Sequence, residues 1–168
     1  MGNPSPNPVH LLMRYSDALM GVEDTIAEHQ SVISKRGAVW VGKVGKPLGP
    51  AHIEKINRQC RDGYPTYLFL VQNRGRPGHA DYVFFRGKIA EVCSALPSSE
   101  KKFVPRYYLA RGIDQQASFW CKVTGLSQVT LKAMADYHVA SSRRPVFNAL
   151  TRSLAALFVL GEGKGIDY

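Results

Sequence analysis

Three cysteines in 168 residues are too few and too far apart for a disulfide framework. Cys60, Cys93 and Cys121 are odd in number and fit no zinc-ligand spacing, so they read as reduced thiols of a cytoplasmic protein. Histidine is equally dispersed: His10, His29, His52, His79 and His138 never recur at i,i+3 or i,i+4, and neither a metal site nor a cofactor is expected. Only 13 acids are present, scattered along the chain, which argues against paired catalytic carboxylates. The longest apolar run, residues 154–160, falls far short of the roughly 18 residues a membrane span needs. Residues 1–8 lack the basic and apolar regions of a signal peptide and read as a disordered leader. The stretch GKVGK at 42–46 lacks the flanking Gly and Ser/Thr of a phosphate-binding loop, having Trp40 and Pro47 there instead. No Gly-x-Ser-x-Gly elbow occurs, and no catalytic residues are assigned.

What the chain has in excess is base. Lys and Arg number 22, the formal net charge is +9 and the sequence pI is about 9.6. Residues 14–34 are acidic on balance, whereas 35–62, 74–88 and 97–168 are basic. Gathered on one face, those three segments make a field attractive to phosphates, while scattered they make only a soluble basic surface. With 45% hydrophobic residues, the chain can fill a single-domain core.

Hydrophobic patterning predicts strands at 9–14, 38–41, 67–72, 80–93, 106–110 and 117–124. Between the first two, Val22, Ile26, His29 and Ile33 recur at helical spacing, with Lys35 and Arg36 in the last turn and Gly37 after it. His29 on that stripe reads as a core histidine. Pro50 opens a second helix that Asp62 and Gly63 close. Gly87 marks the expected position of a bulge in its strand. Residues 127–139 are weakly helical, and 147–160 form a helix or a helix followed by a strand. Strands and helices do not alternate regularly, so the expected class is α+β, a curved mixed sheet or barrel flanked by helices.

Aromatic residues beside bases carry the chemical signal, because rings stack on an exposed base while Lys and Arg hold its phosphates. Trp40 ends a strand before the basic glycine loop, Tyr107 and Tyr108 follow Arg106, and Trp120 precedes Lys122. The same rings would also serve as plain core. If 106–110 is a regular strand, Tyr107 and Tyr108 face opposite ways and only one belongs to a pocket.

The stretches LLMRYSD at 11–17, GAVW at 37–40, YLFLVQN at 67–73, FRGKIAEVC at 85–93, VPRYYL at 104–109, SFWCK at 118–122 and RRPV at 143–146 form an ordered series. Together they resemble YTH domains, within the wider PUA-like superfamily that also holds EVE domains. The resemblance covers residues 9–160, with 161–168 left as a flexible tail. It implies a nucleic-acid-binding module, not an enzyme, that flips a modified base, most simply a methylated one, into an aromatic cage of Trp40, Tyr107 or Tyr108, and Trp120. It places Ser16 and Asp17 at the pocket floor, where they would read a base edge, although both are also ordinary turn and cap residues. Phosphate contacts fall to Lys43, Lys46, Arg143 and Arg144. Distant prokaryotic relatives read modified DNA for restriction systems fused to or partnered with a nuclease or motor, so DNA is favoured over RNA, with no membrane partner. The family signature after Pro-Val is replaced by FNALTR at 147–152, and the second cage position is Tyr. Two alternatives stand beside this reading: a PUA-type binder of structured RNA, and a small nucleotide-acting enzyme using Cys93 or Cys121 with a distant histidine.

Overall fold

A computed structural model describes residues 7–166, so the expected leader lies outside the described residues except for Asn7 and Pro8. The apolar run Val9–Arg14 forms strand β1, buried along its length because it lies inside the sheet. It pairs in parallel with β3 (Tyr67–Asn73) and antiparallel with β8 (Leu157–Glu162). After β1 come a single helical turn, α1 (Asp17–Met20), and the helix α2 (Thr25–Arg36). Asp24 caps α2 by accepting the Ala27 N–H at 3.0 Å, and Gly37, at φ 86°, ends it with an N–H donated to the Ile33 carbonyl at 2.7 Å. Strand β2 (Val39–Val44) and helix α3 (Pro50–Arg61) follow, the helix starting at its proline as expected.

The long strand β4 (Tyr82–Cys93) forms a corner of the fold. Its first part pairs with β3 on one side and with the short β6 (Ser127–Val129) on the other, and its last part pairs with β5 (Ala117–Val123). The full order is β2-β5-β4-β3-β1-β8-β7, with β6 beside β4 and β7 spanning Tyr137–Val139. All pairings but β1 with β3 are antiparallel, giving a curved mixed sheet that does not close into a barrel. The α+β class expected from the sequence is the class found.

Three apolar clusters fill the fold. One lies between the sheet and α2 and α3, and includes Leu11, Val39, Val41, Ile56, Leu68, Phe119, Cys121 and Val123. A second lies on the opposite face, beneath α6 (Leu131–Met134) and α7 (Val146–Arg152). The third is roofed by the segment carrying a 3-10 turn (Ser98–Phe103), α4 (Arg106–Ala110) and α5 (Ile113–Gln116).

Several local expectations change. Residues 106–110 are helix α4, entered from Pro105, because Tyr107 and Tyr108 are both drawn down onto the third cluster. Residues 127–139 hold two short strands around one helical turn. The register of β4 against β5 shifts between Ile89 and Glu91, away from Gly87. Gly87 answers a different need: a Cβ there would lie 2.5 Å from the Gly125 carbonyl oxygen. Of the two readings for 147–160, helix then strand is the one adopted, and β8 continues through Glu162.

Candidate nucleic-acid interface

Where β1 runs out into α1, the end of β2 and the α4–α5 segment stand opposite it and enclose a cavity of about 660 Å³. Its wall includes Arg14, Tyr15, Ser16, Leu19, Lys43, Asn73 and Arg111. Three of those residues are basic and none of the lining residues is acidic. A smaller recess of about 80 Å³ shares Arg14, Tyr15, Met20, Lys43 and Val44 with the cavity, and adds Thr25, His29, Gly42, Tyr107 and Tyr108. The recess is therefore the floor of the larger cavity.

The hydrogen bonds of this floor are unevenly distributed. His29 is buried and its Nδ1 lies 2.8 Å from the Thr25 carbonyl, so that nitrogen carries the proton. Nε2 then accepts from the Tyr108 hydroxyl at 2.9 Å, and that hydroxyl oxygen accepts the Gly42 N–H at 3.2 Å. Burial pushes the His29 pKa down to about 4 against the raising effect of the Thr25 carbonyl, which keeps the ring neutral. Both nitrogens of His29 are thus occupied, as a core histidine requires. By contrast, the buried hydroxyls of Tyr15, Thr25 and Tyr107 make no hydrogen bond of good geometry, their polar neighbours being Arg74, Asp17 and Tyr108 respectively. All three residues line the recess. Buried hydroxyls so weakly bonded are uncommon in folded proteins, and three around one recess leave it with polar groups able to bond elsewhere. Burial raises the Tyr15 pKa while the Arg74 guanidinium partly offsets it, and burial with the adjoining Tyr108 raises that of Tyr107, so both stay protonated and able to donate.

The residues singled out in the sequence divide between this cavity and other places. Ser16 lies in the cavity wall and also caps α1 through the Leu19 N–H at 3.3 Å. Asp17 is committed to the fold: Oδ1 accepts the Thr25 N–H at 2.7 Å and Oδ2 accepts from Gln72 at 3.2 Å. Partial burial raises its pKa, but these hydrogen bonds and the Arg74 charge outweigh that and hold the carboxyl below its usual range. Trp40 is fully enclosed in the third cluster and lines neither the cavity nor the recess. Register explains this: Trp40 stands opposite Lys122 on β5, and its ring lies beneath that ammonium at 5.7 Å. Trp120 is also buried, its ring lying where a Cβ on Gly42 would be only 2.9 Å away. Tyr107 and Tyr108 both reach the recess, Tyr107 with its hydroxyl weakly bonded and Tyr108 with its hydroxyl engaged.

Lys43 lines both spaces, donates to the Val44 carbonyl and has its pKa lowered by burial. Lys46 and Arg144 line a second cavity of about 830 Å³ with His52 and Arg152, again without an acid in the wall. Arg143 lies outside both, on the exposed turn before α7 with φ 62°. The sequence reading passed over Thr25, Arg111 and Arg152. Thr25 looked like an ordinary helix start, and nothing local tells which of many basic residues will face a cavity.

A family model described as Pua-like matches residues 11–156, from within β1 to the start of β8. The chain belongs to the Pua-like family. No curated protein and no solved structure gives a significant match. Membership points to a nucleic-acid-binding module, and two acid-free basic cavities agree with that class. The thiols of this Pua-like chain are poorly suited to nucleophilic chemistry. Burial and nearby carboxylates push Cys93 up to about 11, and burial raises Cys121 well above the ordinary thiol range, opposite to what a reactive thiolate needs. Among the described residues no His/Cys/Asp/Glu cluster has the makings of a metal site, and no helix is long and apolar enough to cross a membrane.

Proposed function

We propose that the protein reads a modified, most simply methylated, base that has been turned out of a DNA strand into the cavity between β1, β2 and α4. The observation that carries this reading is the set of three weakly bonded buried hydroxyls, Tyr15, Thr25 and Tyr107, around the floor of a basic cavity. The outer space lies within the range of small-ligand pockets, and the recess has room for a small substituent, not a second ring. Base polar atoms would meet the hydroxyls, the tyrosine rings would offer faces for stacking, and Lys43 and Arg111 would hold the flanking phosphates. In this reading Trp40 and Trp120 stiffen the wall from behind, and edge recognition passes from Asp17 to Tyr107, Thr25 and Ser16. A DNA-recognition role in a modification-dependent restriction system, with any nuclease or motor in a fused or partner protein, is the setting that the YTH-like and EVE-like resemblance supplies.

The test is competition binding with short DNA and RNA oligonucleotides carrying N6-methyladenine, 5-methylcytosine or no modification. Wild-type protein should prefer one modified DNA. Tyr107→Phe, which keeps the ring and removes the hydroxyl, should cut that preference by about tenfold, the scale of one hydrogen bond in a dry site. Equal affinity for all modified and unmodified strands overturns the reading, and a preference confined to RNA would turn it toward structured RNA.

A further inference from the structure

The two basic cavities are separated by a ridge. One side of it is the end of β2 and the loop after it, where Lys43 and Val44 face the first cavity and Lys46 and Pro47 face the second. The other side is the segment from the end of α7 to the first residue of β8, where Ala156 lines the first cavity and Ser153, Ala155 and Leu157 line the second. On this segment stands Leu154, 98% exposed, the most exposed large apolar residue among those described. Its neighbours are held firmly. The Arg14 guanidinium donates from Nε to the Ala155 carbonyl at 2.9 Å and from Nη2 to the Leu150 and Ser153 carbonyls at 2.8 and 2.6 Å. The Arg14 backbone N–H donates to the Ala156 carbonyl at 2.9 Å. An arginine that lines the base cavity thus fixes the backbone on both sides of a leucine that has no apolar contact to bury it.

We propose that Leu154 is a wedge that enters the base stack of duplex DNA at the gap left by the displaced nucleotide. This rests on the cavity being the base-binding site, and it adds the means by which a duplex is opened there. Drawing one base out leaves two neighbours unstacked, and apolar side chains inserted between base steps are a general way to fill that space. The occupant is a duplex because the ridge is flanked on both sides by acid-free basic walls, to which the backbone on either side of the gap is attracted. The fixed backbone favours the role, since the leucine is presented from a segment already ordered and only its own side chain must be immobilised on insertion.

The substitution Leu154→Ala tests this without touching the core. Binding is measured to a matched duplex carrying the preferred modified base, to the same duplex with that base mispaired, and to the corresponding single strand. A wedge predicts a loss of about tenfold on the matched duplex, a smaller loss on the mispaired one, and none on the single strand, because unpaired bases are already free of the stack. Leu154→Phe should restore duplex binding, and 2-aminopurine beside the modified base should brighten with wild type and with Leu154→Phe but not with Leu154→Ala. Leu131→Ala, an exposed leucine outside both cavities, serves as control. Unchanged duplex binding by Leu154→Ala, or equal losses on duplex and single strand, overturns the wedge while leaving the base site standing. Failure of wild type to bind any of the three forms overturns both.

Discussion

Tyr107 and Tyr108 are chain neighbours whose hydroxyls meet opposite circumstances, and this decides what each substitution does. The Tyr108 hydroxyl joins His29 and the Gly42 N–H, so Tyr108→Phe leaves two buried groups unsatisfied and should cost about 1–3 kcal/mol, read from urea midpoints. The Tyr107 hydroxyl makes no hydrogen bond of good geometry, so Tyr107→Phe should leave the melting temperature nearly unchanged while damaging base discrimination. Trp40 belongs with Tyr108. Enclosed on all sides, its replacement by Ala should cost about 3–5 kcal/mol and compromise the fold before any effect on binding can be read. The sequence singled out the aromatic residues beside bases, but did not tell which of them are enclosed. Trp40 ends an apolar run before a glycine loop in either case, and only the packing of α4 and α5 over the far face of β2 and β5 decides that its ring is covered. Gly42 was legible as a point of close approach, yet what approaches it is the Trp120 ring and not a ligand.

Helix α4 shows the same limit one level up. Two adjacent tyrosines followed by leucine read locally as a strand, and the short helix survives because it presents both rings to the third cluster. Longer elements were readable from their ends: α2 from its acidic cap and following glycine, α3 from its proline, β1 and β3 from runs apolar enough to be buried on both faces. The contact between α2 and α4 carries a pH dependence. The His29 pKa is about 4 in the folded protein against 6.5 in the unfolded chain, so below pH 6.5 the unfolded state binds the proton first. The stability His29 gives the fold is complete above pH 6.5 and is lost as pH falls toward 4, a change of at most about 3–4 kcal/mol at 1.36 kcal/mol per unit. His10 adds in the same direction, its pKa lowered by burial more than its Glu162 contact raises it. Urea midpoints between pH 7 and pH 4.5 should therefore fall, and His29→Gln, though less stable throughout, should show a shallower fall.

At the scale of the molecule, net charge points to an electrostatic partner and the fold sorts which charges face a cavity. Of the four bases expected to hold phosphates, Lys43 lines the first cavity, Lys46 and Arg144 the second, and Arg143 neither. Affinity for duplex DNA should fall steeply with salt, and Lys43→Ala or Lys46→Ala should each reduce the slope of log K against log salt by about 0.9, whereas Arg143→Ala should leave it unchanged. The sequence could not make this division, since Arg143 and Arg144 differ by one position and end on different sides of a turn. The strand order has a further consequence for the integrity of the chain. The hairpin between β3 and β4 divides the sequence so that β1, β2 and β3 precede it and the other five strands follow, yet in the sheet the two sets interleave. β2 lies against β5, β3 against β4 and β1 against β8, three seams in which each half completes the other. A single proteolytic cut in the exposed stretch between Arg74 and His79 should therefore leave a complex whose pieces co-elute. Produced separately, neither piece should give a cooperative melt, because β2 in the first has no strand to pair with and β8 in the second has lost one side. Mixed together they should regain the ring environment of Tyr107, Tyr108 and Trp120 in the near-UV spectrum, which makes the hairpin the natural place to divide this protein into a two-part reporter of its own assembly.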